Sequence, residues 1–148
     1  MTILLLSLAG VVISILVGTV WYSTGTPMGR LHMRYLGFDK LSAEEQKALI
    51  EKAKPTMPKI YSGQMLLSLL TSGFTVFVIT MSVQNGVPFN MAIMFPIVAW
   101  LCFTVPAVGG GILWSNTEGE LAWKRFFSET LCTLVTILLI ALMVSFFI

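Results

Sequence analysis

Glu129 opens the uncharged apolar run 130–148, and a carboxylate in that position serves one of two ends. Ionisable groups at membrane depth are costly, face the interior of a bundle and mark ion or proton paths. Alternatively, Arg125 pairs with it at spacing i, i+4, an interfacial ion pair worth about 0.3 kcal/mol. Cys132, Thr133 and Thr136 follow at offsets 3, 4 and 7 from Glu129, so all four share one helical face.

A second polar set is Gln64, Ser68, Thr71, Ser72 and Thr75, at offsets 0, 4, 7, 8 and 11, again one helical face. Hydroxyls of this kind bond back to their own helix carbonyls and form a weakly polar packing face. Read functionally, the same face lines a water-containing cavity or permeation path, with Gln64 as its strongest donor and acceptor and with Glu129 and Thr133 beside it. His32, the single histidine, stands between Arg30 and Arg34, with no partner at catalytic or metal-ligating spacing. This basic group, with Trp21 and Tyr22, is expected at anionic lipid headgroups. Cys102 and Cys132 both fall in apolar runs and read as small buried residues rather than as a bridge. No catalytic set, cofactor site or metal site is expected.

The elements that carry these residues follow from charge and hydropathy. Of 148 residues, 56% are hydrophobic and 11% charged, with mean hydropathy +0.87, against roughly a quarter charged in soluble domains. Positions 1–29, 60–117 and 130–148 carry no Asp, Glu, Lys or Arg. A bilayer core of about 30 Å takes roughly 20 helical residues, so the outer gaps hold one span each and the middle gap two. The expected fold is an all-α integral membrane protein of four spans (about 2–22, 60–82, 91–114 and 126–148) in one domain, 1–148. Asn85, Gly86, Pro88 and Asn90 turn the chain between the second and third spans. Pro96, Pro106 and Gly109–Gly111 predict that the third span is kinked or broken.

The polar loop 23–59 carries a short basic stretch, then Ser42 and Glu45 in capping-box spacing at the head of a short interfacial or cytoplasmic helix that ends before Pro55. A second loop, 115–125, carries Glu118, Glu120, Lys124 and Arg125. Seven of the nine Lys and Arg residues lie in 23–59 and two in 115–125. The positive-inside bias therefore places both loops in the cytoplasm and both termini outside, in a plasma (inner) membrane. Ser7, Gly10, Ser14 and Gly18, at offsets 0, 3, 7 and 11 in the first span, form a small-residue stripe fit for close helix packing, within the chain or between copies.

The segment Gly18, Thr19, Val20, Trp21, Tyr22, Ser23, followed by Gly29 and the basic-aromatic stretch to Gly37, resembles the signature of a family of small, mostly bacterial membrane proteins known as a domain of unknown function. The likeness extends over nearly the whole chain, except that Thr24 stands where family members usually have proline. It implies a four-span fold and no assigned activity. The expected role is therefore a non-enzymatic membrane protein that associates with itself or serves as an accessory subunit of a larger membrane complex. Membrane lipids are expected partners and nucleic acid is not. The alternative is an oligomeric channel or small transporter lined by the polar face of the second span and Glu129.

Overall fold

A computed structural model describes residues 2–115 and 119–148, without the Leu113 side chain. Its helices are α1 (Thr2–Trp21), α2 (Pro27–Tyr35), α3 (Ala43–Ala53), α4 (Met57–Gln84), α5 (Phe89–Ala92), α6 (Met94–Ala99), α7 (Val105–Leu113) and α8 (Gly119–Ser145). No strand occurs among the described residues. Four segments are long and apolar enough to cross a membrane: Thr2–Trp21, Met57–Gln84, Phe89–Ile112 and Gly119–Ser145.

The fourth long helix begins earlier than its charges suggest. Glu120, Lys124 and Arg125, expected in a loop, lie in the first turns of α8, while Glu118 falls outside the described residues. Two pairs at i, i+4 favour the helix there: Lys124 Nζ to Glu120 Oε1 and Arg125 Nε to Glu129 Oε1, both at 2.5 Å. Likewise α4 starts at Met57, with Pro58 in its first turn where no N–H is needed. The capping box at the head of α3 is formed in both directions, Glu45 N–H to Ser42 Oγ and Ser42 N–H to the Glu45 carboxylate.

The third span is interrupted where its prolines remove donors. A turn at Ile93 precedes Pro96, and a π-helical stretch, Trp100–Thr104, runs up to Pro106. In a regular helix residue 106 would donate to the Cys102 carbonyl; proline has no N–H to give, and the Val105 N–H reaches back to Trp100 O instead. Gly109–Gly111, expected to contribute to the break, continue helically within α7, where Gly109 gives room to the Phe126 ring of α8.

Packing is graded along the bundle. At one end Leu6, Val76, Ile79, Ala92, Ile140, Ala141 and Val144 form an apolar core. Midway, α1 meets α4 through a hydroxyl seam: Ser72 Oγ donates to the Ser7 carbonyl at 2.5 Å, and Gly10 lies directly against Ser72. Such close approach supplies the dispersion contacts that join helices where no hydrophobic drive exists between them. The opposite end holds the charged and aromatic side chains.

Candidate functional site

The corner joining α1 to α2 is built on Thr26. Its hydroxyl accepts from the Gly29 N–H at 2.9 Å as the N-cap of α2, and lies 2.8 Å from the Trp21 carbonyl and 2.9 Å from the Ser23 carbonyl. Pro27 follows in the first turn. Gly29 is buried so close to the preceding chain that a Cβ there would overlap the Ser23 carbonyl oxygen. The W-Y-S segment and Gly29 thus act as a hinge block that turns α2 back across the end of α8.

Across this corner six side chains from distant parts of the sequence converge. Arg125 bonds Glu129 along α8, with side-chain exposures of 23% and 28%, so the pair is mostly withdrawn from solvent. The same guanidinium donates to the Tyr35 hydroxyl and lies over its ring, 3.6 Å from the centroid. His32 packs between two tyrosines, with centroid distances of 4.8 Å to Tyr22 and 6.4 Å to Tyr35. Tyr22 lies beside Cys132. Burial lowers the His32 imidazole below its ordinary 6.5, and nearby Arg125 adds to the lowering while Glu129 opposes it. Two further bonds brace the cluster: Trp21 Nε1 donates to Ser128 Oγ at 3.1 Å, and Trp100 Nε1 to Thr133 Oγ1 at 3.0 Å.

The sequence-predicted residues divide accordingly. Trp21, Tyr22 and His32, expected at lipid headgroups, turn towards α8, whereas Arg30 and Arg34 are exposed. In the polar face of α4, Ser68, Ser72 and Thr75 are buried, but Gln64 and Thr71 are exposed. Ser7 and Gly10 are buried in the small stripe; Ser14 bonds its own helix at Gly10 O, and Gly18 has open space around it. Cys132 is buried, but Cys102, expected to be buried, is exposed with its neighbours Leu101 and Phe103 on the π-helical stretch. Thr26 reads in the sequence as a turn former and Tyr35 as part of the basic-aromatic stretch, but neither is marked there as a site residue, since Tyr35 meets Arg125 across 90 positions.

Chemically, the cluster offers an ion pair locked by an aromatic lid. Among the described residues no three His, Cys, Asp or Glu side chains gather as a metal site would require. The arrangement holds α2 against α8. No family model matches this chain, and no curated protein or solved structure matches it.

Proposed function

We propose that this chain is a non-enzymatic integral membrane protein that works by association, with further copies of itself or as an accessory subunit. Its charged segments 23–59 and 115–125 face the cytoplasm, its termini lie outside, and lipids surround it. The observation that carries this reading is the third span. Only 11% of its most apolar window is buried, against 17% for α1, 33% for α4 and 44% for α8. Its π-helical stretch leaves Leu101, Cys102 and Phe103 uncovered, with Phe103 75% exposed. The π-helical turn re-satisfies the backbone beside Pro106, so what favours a partner here is the large apolar surface that this span leaves open, a surface on which a second helix can pack.

The same geometry favours association over a channel lined by α4 and Glu129. Ser68, Ser72 and Thr75 are occupied by packing inside one chain, and Glu129 is neutralised by Arg125. A photo-cross-linking residue at Phe103 tests the reading in native membranes. Expected is a protein adduct, either a doubled chain or a distinct partner, while the same probe at Leu142, exposed on α8, captures lipid. Lipid adducts alone at both positions refute it.

A further inference from the structure

Between α2 and α8 lies an open groove of about 1040 Å³, ample for a phospholipid headgroup with its glycerol and upper acyl segments. Its rim carries four cations, Arg30, Arg34, Lys40 and Lys124, and two carboxylates, Asp39 and Glu120. Lys124 is engaged by Glu120, and one Arg30 nitrogen reaches the Gly25 carbonyl at 3.4 Å. Arg34 and Lys40 make no ion pair among the described residues, so the rim keeps a positive excess. The floor is apolar, with Leu31, Leu121, Phe127 and Leu131; Phe127 is 63% and Leu131 45% exposed. Leu131 lies six residues beyond Arg125, about 9 Å further along α8, on the side of the uncharged run.

We propose that this groove binds an anionic phospholipid of the cytoplasmic leaflet, its phosphodiester among Arg30, Arg34 and Lys40 and its upper acyl chain against Phe127 and Leu131. The proposal rests on the membrane reading above. Two complementarities select this occupant: cations meet phosphate at the rim, and an uncovered apolar floor continues into the depth where acyl chains lie. A small soluble anion would use the rim and leave the floor bare. The Arg125 and Tyr35 lock keeps α2 over α8, so the groove exists before the lipid arrives.

The test uses the full chain in detergent, titrated with phosphatidylglycerol or phosphatidylcholine, with retained lipid counted by native mass spectrometry. Phosphatidylglycerol is expected to be retained at least about tenfold more tightly. The double substitution Arg34→Gln and Lys40→Gln is expected to weaken it about 25-fold, roughly fivefold per charge near an anionic headgroup. Removing equal charge on α3, by Lys47→Gln and Lys52→Gln, should change nothing. Should the first double variant fail to fold, Leu131→Ala on the exposed floor is expected to weaken retention about fivefold. Equal retention of the two lipids, an equal loss in the α3 variant, or displacement by glycerol phosphate at matched concentration overturns the groove. Alkaline carbonate extraction of cell membranes separates the two levels: a chain that stays in the membrane without lipid preference sinks the groove alone, and a chain that is released sinks the membrane reading as well.

Discussion

Gly10 and Gly18 belong to one stripe in the sequence, yet the structure assigns them opposite responses to the same added methyl group. A Cβ on Gly10 would stand 2.7 Å from Ser72 Cβ, 3.0 Å from Ser72 Oγ and 3.5 Å from Ile140 Cδ1. Ser72 is fully buried and its hydroxyl is committed to the Ser7 carbonyl, so it has nowhere to rotate. Gly10→Ala must therefore push α1 away from α4. Overpacking of this kind costs about 1–3 kcal/mol, and losing the interhelical hydrogen bond adds about 0.6 kcal/mol. The expected destabilisation is about 2–4 kcal/mol. A Cβ on Gly18 meets nothing within 4 Å. Gly18→Ala should be neutral, or stabilising by up to about 1 kcal/mol, because alanine loses less backbone entropy in a helix. Reversible unfolding in mixed micelles, driven by added dodecyl sulfate and followed by far-ultraviolet dichroism, measures both. Equal responses of the two variants would refute the assignment of the α1 and α4 seam. A second substitution, Ser72→Gly, should restore part of the loss in Gly10→Ala by reopening the space.

Gly29→Ala is expected to lose at least about 3 kcal/mol, since its Cβ would collide with backbone rather than with a movable side chain; the same unfolding titration checks it, and a loss below 1 kcal/mol would contradict the corner geometry. Arg125→Lys keeps the charge but loses the planar contact with Tyr35 and is expected to cost about 1–2 kcal/mol, read as greater protease cleavage between α2 and α4. Glu129→Gln leaves Arg125 three-quarters withdrawn from water without its anion, at a cost of about 1–3 kcal/mol in the same assay. For pH, the folded imidazole of His32 lies below its ordinary 6.5, so the unfolded chain takes up the proton first as pH falls. Its contribution is therefore retained above 6.5 and lost as pH drops through that value towards the lowered folded one. Melting curves in detergent should show less acid destabilisation for His32→Phe than for the native chain.

Much of the architecture is written in the placement of charge. Three uncharged gaps locate the four helices that are long and apolar enough to cross a membrane, and the turn at Asn85 to Pro88 is legible from breaker residues, with Gly86 at φ +84°. The start of α8 is not legible in that way. Glu120, Lys124 and Arg125 read as loop because they are charged, whereas their i, i+4 pairing satisfies them on a helix that extends beyond the apolar run. The stripes name special faces, and only packing decides which part of each face is covered. Ser72 and Gly10 meet; Gln64, Thr71 and Gly18 do not share in that seam. Glu129 and Arg125 are recognisable as a pair from spacing, but Tyr35, Tyr22 and His32 join them through the fold of α2, which local spacing does not encode. The role of Gly29 is equally hidden, since the carbonyl that excludes a side chain belongs to Ser23 and only the turn brings the two together.

The claim that the chain works by association is tested most directly by the mass of the protein purified from native membranes in nanodiscs, with lipid mass subtracted. The account predicts a mass above the 16.3 kDa of one chain, as a multiple of it or as a sum with a distinct partner. A bare monomer that holds its mass across concentrations and lipid compositions would contradict it.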